Sequence, residues 1–285
     1  KAGGTYRLGE VLRVWGKRGI TLEGNDATFK LSGSGFFGSG IFVEQRSEDT
    51  TIRNLSIVGN HSDTSRLAES QAGISVYGST DTLIENVDIR RVAGDCVRID
   101  AHDGRVWADG VIIRDSSCKT SGRMGVFIVA ASHVRIVRNV FDDISYAVTA
   151  AEPNASHEGA TDVVIRDNTV GSYSLNDTYV GDLFYACDAP WGGGATVRDV
   201  TITGNTVAGN RNGANGDMMG ANVIVCPDIV ASNYAVTDNT ADRPVEGPIM
   251  TFMDVQGVTV TGNDQPLSSG ELARFPGSSG VTYRP

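Results

Sequence analysis

Charged side chains able to act as acids, bases or substrate ligands are concentrated in the middle of the chain. Asp95, Arg98, Asp100 and His102 fall in one short stretch. Further groups follow at longer intervals: Arg123, Glu152 and Asp188. Hydrolysis of a glycosidic bond needs one carboxylic acid and one carboxylate, while arginine and histidine can hold sugar hydroxyls. We therefore expect Asp100, Glu152 and Asp188 to be the acid and base candidates, with Arg98, His102 and Arg123 positioning the substrate.

These side chains can act together only if a repeating fold brings them onto one surface. Nine short apolar-alternating runs, most of them ending in Asn, recur about every 30 residues, a period typical of solenoids and propellers. They cover residues 20–25, 51–54, 83–86, 111–116, 134–139, 163–168, 200–205, 236–239 and 258–263. A second series of alternating runs lies between them, which leaves too few strands per repeat for a propeller blade. The pattern predicts an all-β, right-handed parallel β-helix of about nine coils over residues 1–265, with residues 266–285 as a tail covering the last coil.

Stacked coils turn sequence positions into columns on the surface. In a run such as residues 97–100, alternate side chains face opposite sides, so Arg98 and Asp100 point outward. Coils stack about 4.7–4.9 Å apart. Glu152 and Asp188 are predicted on adjacent coils, a separation that suits a retaining hydrolase, whereas Asp100 and Glu152 are predicted two coils apart, which suits inversion.

The charge balance bears on the choice of partner. Lysine and arginine number 24 against 34 aspartates and glutamates, a net charge of −10. This balance disfavours nucleic acid and acidic membrane surfaces as partners, and it also disfavours a polyanionic substrate. No apolar run reaches the roughly 18 residues of a membrane span. We expect a mostly neutral polysaccharide or oligosaccharide as the partner and predict neither a metal nor a cofactor.

The four cysteines show no Cys-x-x-Cys spacing, so a zinc site is not predicted. Cys187 and Cys226 occupy the same outward position on successive coils. Neighbouring strands lie about 4.8 Å apart, inside the window for a disulfide, so we expect a bridge between them and hence a secreted protein whose signal peptide is not in this sequence. Cys118 falls at an inward position and is predicted to be a buried thiol.

Several motifs resemble those of known carbohydrate-active proteins. The sequence of residues 3–8 and 19–24 resembles the first coil of the pectate-lyase and polygalacturonase class, whose β-helix fold hosts hydrolases, lyases, epimerases, esterases and tailspikes. Residues 94–97, 122–125 and 151–153 are similar to a Gly-Asp-Gly-Ile, Arg-Gln-Gly-Ile and acidic-Pro pattern of carbohydrate-active and tailspike β-helices. Here Cys96 replaces the second glycine and Met124 the glutamine. The resemblance implies a saccharide groove that involves Asp95, Arg123 and Glu152.

A second resemblance keeps other reactions open. Residues 100–102 resemble the Asp-Pro-His triplet of alginate C5-epimerases, a family in which a histidine and a tyrosine act on the sugar C5 proton. Here the proline is missing and Val97 stands where that family carries the tyrosine, although Tyr77, which we expect to bind substrate, lies one coil earlier. The resemblance implies this chemistry for His102, with Tyr77 as the nearest tyrosine. The leading hypothesis is a secreted glycoside hydrolase with paired carboxylates. The alternatives are a polysaccharide lyase or C5-epimerase acting on uronates, for which Ca²⁺ would neutralise the substrate, and a non-catalytic glycan-binding or tailspike module.

Overall fold

The computed structural model describes residues 2–32, 39–61, 71–175, 182–187, 193–208 and 220–285. This part of the chain contains 28 β-strands. In chain order they are β1 (Thr5–Leu8), β2 (Leu12–Trp15), β3 (Arg18–Leu31), β4 (Ile41–Glu44), β5 (Glu48–Val58), β6 (Ile74–Tyr77), β7 (Thr80–Val92), β8 (Val97–Asp100), β9 (Ala108–Arg114), β10 (Ser117–Ser121), β11 (Val126–Ile128), β12 (Ala130–Val137), β13 (Val140–Ile144), β14 (Thr149–Ala151), β15 (Gly159–Arg166), β16 (Thr169–Val170), β17 (Phe184–Ala186), β18 (Thr196–Thr203), β19 (Thr206–Val207), β20 (Val223–Val225), β21 (Val230–Thr237), β22 (Thr240–Ala241), β23 (Val245–Glu246), β24 (Met250–Phe252), β25 (Gln256–Thr261), β26 (Leu267–Ser269), β27 (Ala273–Arg274) and β28 (Ser279–Arg284).

The strands pair in parallel across successive coils. One sheet holds sixteen strands, with the order β22-β19-β16-β13-β10-β7-β9-β12-β15-β18-β21-β25-β28 and with β1, β3 and β5 extending it from β7. The second sheet holds ten strands in the order β2-β4-β6-β8-β11-β14-β17-β20-β24-β27. The described strands therefore form a parallel β-helix with ten rungs in the second sheet, against the nine coils predicted.

The hydrophobic core fills the inside of the coils. Ile41, Ile74, Val97 and Val126 follow one another in register along the ten-stranded sheet and are all almost completely buried. Branched side chains suit this position because they pack well on a pleated surface. The outward residues of β4 and β6 are partly exposed or polar, which is the alternation that the sequence showed.

An asparagine ladder closes one bend of the later coils. Its members are Asn139, Asn168, Asn205, Asn239 and Asn263. From Asn168 onward, each side-chain oxygen accepts a hydrogen bond from the backbone N–H of the preceding asparagine, as where Asn139 N lies 2.8 Å from Asn168 Oδ1. Asn139 Oδ1 accepts from Ser116 N. Each Nδ2 also donates to a backbone carbonyl, so these largely buried amides are well satisfied.

The asparagines that end the runs of the first coils do not belong to this ladder. Asn54 and Asn86 adopt left-handed φ values of 56° and 51° and bond to each other outside the core, with Asn86 Nδ2 2.7 Å from Asn54 Oδ1. Leu55 and Val87 take the inward position instead. The reason is that β5 and β7 run through the bend as single strands of 11 and 13 residues, so that apolar side chains fill the interior there.

The cysteines form two disulfides. Cys187 and Cys226 are bridged as predicted, with their Cα atoms 4.8 Å apart. The prediction of a free thiol at Cys118 is wrong, because Cys118 is bonded to Cys96 across the core with a Cα separation of 5.9 Å. Cys96 lies in the bend before β8, where the chain turns its side chain inward, and both sulfurs join the hydrophobic core.

The segment after residue 265 continues the coil. β26, β27 and β28 pair with β23, β24 and β25 respectively, so this segment covers the preceding coil through parallel ladders. Phe275 stacks on Phe252 with ring centroids 5.7 Å apart, which extends the core to this end. In the described residues the structure holds no helix that is long and apolar enough to cross a membrane.

Candidate active site

Arginines and aromatic rings alternate along the outward face of the ten-stranded sheet. Arg98 Cζ lies 5.7 Å from the centroid of the Tyr77 ring and 5.2 Å from that of Phe127. Tyr77 meets Phe42 edge to face at 4.6 Å, and Arg13 Cζ lies 5.2 Å from Phe42. We call this series the aromatic–arginine file; its members are Arg13, Phe42, Tyr77, Arg98, Phe127 and Arg123. Cation–π contacts of this kind attract the guanidinium groups to the neighbouring rings.

Arg123 joins two carboxylates from the coils on either side of it. Its Nη1 lies 3.4 Å from Asp95 Oδ2 and its Nη2 lies 3.3 Å from Glu152 Oε2. Its Cζ stands 4.1 Å from the Phe127 ring centroid, and its side chain is only 9% exposed. Asp95 is fully buried and also accepts a hydrogen bond from Met124 N, so a contact between Asp95 and substrate would require Arg123 to move. Glu152 remains partly exposed and faces the solvent side of the file.

Arg98 and Asp100 form the neighbouring ion pair. Arg98 Nη2 donates to Asp100 Oδ2 at 2.9 Å, and Ala101 N donates to Asp100 Oδ1 at 2.7 Å. Both oxygens of the Asp100 carboxyl group therefore have a donor within hydrogen-bond distance.

Strand register places Tyr77, Asp100 and Glu152 in one outward column. Tyr77 pairs with Asp100 directly. Ile99, Ile128 and Ala151 then follow in register, so Val129 lies between Asp100 and Glu152. Two steps of about 4.8 Å put the backbones of Asp100 and Glu152 roughly 9.6 Å apart. The spacing of two coils predicted for this pair is therefore present in the fold.

The loops that follow β8 and β14 stand beside this column. His102 lies in the first of them, with its Nε2 3.3 Å from Asp103 Oδ2. Trp107 Nε1 donates to the carbonyl oxygen of His157 at 3.0 Å, which ties the first loop to the second across the coil between them. His102 thus borders the column at Asp100 without entering the aromatic–arginine file. Asp188 lies outside the described residues, and its assignment stays a prediction.

Sequence reasoning missed a group at the other end of the strands. Asp182 is 2% exposed, and burial raises the pKa of its carboxyl group to about 8. Tyr146 and Tyr185, with ring centroids 5.8 Å apart and a hydrogen bond between their hydroxyls, interact electrostatically with both Asp182 and Glu152. Burial raises the pKa of each phenol, so both remain protonated at neutral pH.

A signal for Asp182 was present in the sequence. Asp182 lies two residues before the first residue of β17, and Asp95 lies two residues before the first residue of β8. The long interval before β17 hid this correspondence.

One group of side chains has the spacing of a metal site. Within the described ranges, Cys187, Cys226 and Asp228 each place a ligand atom within 4.8 Å of the others. The two cysteines are joined in a disulfide, and a disulfide sulfur is not the thiolate that metals bind. This group is therefore not a metal centre while the bridge is intact.

Solved structures of low sequence identity share the fold. Alginate lyase from Paenibacillus sp. str. FPU-7 superposes with a TM-score of 0.58 at 16% identity, covering 99% of this chain and 93% of that chain. The family 28 exopolygalacturonase of Yersinia enterocolitica gives a TM-score of 0.62 at 14% identity, covering 93% of this chain and 46% of that one. The GH136 lacto-N-biosidase of Eubacterium ramulus gives 0.57 at 10% identity, covering 95% and 62% respectively.

These likenesses concern the fold, and the chain spans only about half of the exopolygalacturonase. Among curated proteins, no sequence matches this chain. The family described as "Right handed beta helix region" matches residues 12–265, which is most of the chain. Together with the parallel ladders and stacked coils, this match shows that the chain belongs to the right-handed β-helix family.

Proposed function

We propose that this protein hydrolyses glycosidic bonds in a mostly neutral polysaccharide or oligosaccharide, with Glu152 at the reacting centre. Fold neighbours with TM-scores above 0.5 include an alginate lyase, an exopolygalacturonase and a lacto-N-biosidase, which supports a carbohydrate substrate in general. The choice of reaction rests on the charges of the candidate site.

The proposal of a neutral substrate rests on one observation: every guanidinium group of the aromatic–arginine file forms an ion pair with a carboxylate. Arg13 is paired with Glu44, and Arg98 is paired with Asp100. Arg123 is shared by two carboxylates, Asp95 and Glu152. A uronate entering the file would meet these carboxylates without an unpaired arginine to neutralise it, whereas neutral hydroxyl groups can bond to both members of each pair. Neutral sugars therefore suit this surface best.

Hydrolysis requires two carboxyl groups in different protonation states. We assign Glu152 the role of base or nucleophile, because it is the partly exposed carboxyl group of the file and lies 3.3 Å from the guanidinium of Arg123. Asp100 is the acid candidate that the spacing predicted. Asp182 is a second acid candidate, because burial raises the pKa of its carboxyl group to about 8 and the group keeps its proton at neutral pH. At 2% exposure it can protonate a leaving group only if the residues that cover it move, as for Asp95. The pH dependence of activity distinguishes the two.

The lyase or epimerase alternative fits the site less well. It needs a base that can take the C5 proton, and Tyr77 was its candidate together with His102. Burial raises the pKa of the Tyr77 phenol to about 12, so this group stays protonated near neutral pH. Arg98, which would bind the uronate, is held by Asp100 at 2.9 Å.

We also place the protein outside the cytoplasm. Two disulfides, Cys96–Cys118 and Cys187–Cys226, link pairs of coils. Disulfides persist mainly in oxidising compartments, which supports a secreted protein.

Product analysis on a panel of neutral and uronate-containing glycans tests the reaction type. Hydrolysis releases reducing ends without ultraviolet absorbance from unsaturated sugars, and the proposal expects this on a neutral glycan. Unsaturated products from a uronate glycan would show a lyase instead. Binding without any product over the whole panel would show a glycan-binding module.

A further inference from the structure

The first coil presents an exposed indole in the same outward column as the candidate site. Trp15 is 55% exposed at the end of β2. It pairs in register with Glu44, Glu44 pairs with Tyr77, and Tyr77 pairs with Asp100. Trp15 therefore stands three rungs from Asp100 on one continuous face.

Polar groups flank this indole on the same face. Arg13 lies two residues before Trp15, so its side chain also points outward. The guanidinium of Arg13 is paired with Glu44 and packs over Phe42 at 5.2 Å. An exposed aromatic surface beside a balanced ion pair offers an apolar face for a sugar ring, together with a donor and an acceptor for its hydroxyls. Because the two charges offset each other, the surface favours neutral sugars over charged ones.

We propose that Trp15, Arg13 and Glu44 form a distal saccharide-binding site that holds the far end of a long neutral glycan lying along the aromatic–arginine file. This inference rests on the proposed function, because it takes the bond that reacts to lie at Glu152. Register gives five rungs between Trp15 and Glu152. At about 4.8 Å each, they span roughly 24 Å. A disaccharide bound at Glu152 would not reach Trp15, whereas a long chain would contact both places.

The test measures binding in the Glu152→Gln background, so that turnover does not interfere. Trp15→Ala should weaken binding of a long neutral polysaccharide by about tenfold. Binding of a disaccharide or trisaccharide of the same glycan should not change, and Trp15→Phe should restore much of the affinity for the long chain. Tyr6→Ala is the matched control, since Tyr6 is another exposed aromatic residue of the first coil and lies outside this column.

The catalytic readout separates the two proposals. In the otherwise wild-type enzyme, Trp15→Ala should raise KM for the long chain and leave kcat unchanged. Normal hydrolysis with no effect of Trp15→Ala on the long chain would overturn the distal site alone. A protein that neither binds nor cleaves any glycan would overturn both proposals. Conversion of a dimer into a monomer by Trp15→Ala would show that this surface joins two copies of the chain instead.

Discussion

Arg123 Nη2 lies 3.3 Å from Glu152 Oε2, and the two residues come from adjacent coils of the β-helix. The same guanidinium reaches back to the fully buried Asp95 on the preceding coil. Three coils are thereby joined through one side chain, whose Cζ also lies 4.1 Å from the Phe127 ring centroid. The contact positions the carboxylate to which we assign the chemistry.

Removal of the Arg123 charge should destabilise the fold as well as the site. Arg123→Met leaves the Asp95 carboxylate buried without its cation, and breaking a buried pair in this way costs about 3–5 kcal/mol. Urea unfolding followed by circular dichroism measures the loss. Arg138→Met is the control, because the Arg138–Asp115 pair is exposed and its loss should change the urea midpoint little. Equal urea midpoints for Arg123→Met and wild type would contradict the assigned role.

Substitution of a buried asparagine of the ladder should destabilise the fold more than substitution of an exposed asparagine outside it. Asn205 is fully buried, and its side chain bonds to Asn168, Asn239 and two backbone carbonyls. Asn205→Ala leaves several buried polar groups without partners and should cost on the order of 3 kcal/mol of unfolding free energy. Asn86→Ala, at an exposed position, should cost less than about 1 kcal/mol. Similar losses for the two variants in chemical denaturation would show that the ladder is not what stabilises the bend.

The raised pKa of Asp182 predicts a fold that weakens as the pH rises. The carboxyl group has a pKa of about 8 in the folded chain and near 4 when exposed, so between these values the folded state binds a proton that the unfolded state has lost. The contribution of Asp182 to stability is therefore present below pH 4 and is lost as the pH rises through 8. Asp182→Asn should flatten this dependence in urea midpoints measured from pH 4 to pH 9. A slope identical to that of the wild type would mean that Asp182 is ionised at neutral pH.

The pH profile of activity distinguishes the two acid candidates. If Asp182 protonates the leaving group, kcat should fall above pH 8, because the acid form is then depleted. Asp182→Asn should lose activity on the polysaccharide, keep much of it on an aryl glycoside whose leaving group needs no proton, and lack the alkaline limb. If the fall in kcat at alkaline pH remained in Asp182→Asn and disappeared in Asp100→Asn, Asp100 would be the general acid.

The sequence predicted the repeat and the outward column because both depend on local alternation. Arg98 and Asp100 follow the period of two within β8, and the strand register then aligns Asp100 with Tyr77. The bends were harder to predict. Whether an asparagine points inward, as Asn139 does, or outward, as Asn86 does, depends on whether the strand continues through the bend. Nothing in the local pattern of residues 83–86 showed this.

The same limitation explains the cysteine error and the missed carboxyl group. Cys96 lies in a bend, where alternation no longer indicates which way a side chain points, so its pairing with Cys118 across the core was not visible. Asp182 likewise precedes a strand that lies far along the sequence from the strand before it, and its carbonyl oxygen accepts from Val148 N of an earlier coil. The contacts of Arg123 with Asp95 and Glu152 depend on how far its side chain reaches across three coils. A sequence motif indicates that these residues lie near one another, and it does not give the distances between their side-chain atoms.

The activity of Glu152→Gln tests the central claim most directly. The substitution keeps the size and shape of the side chain and removes its negative charge, so the fold and glycan binding should be retained. The loss of the base or nucleophile should lower kcat on the neutral glycan at least about a hundredfold. Glu246→Gln, at an exposed carboxyl group on the distant strand β23, should leave kcat unchanged. A Glu152→Gln variant that is folded and nearly as active as the wild type would contradict the account, since the reacting centre would then lie elsewhere.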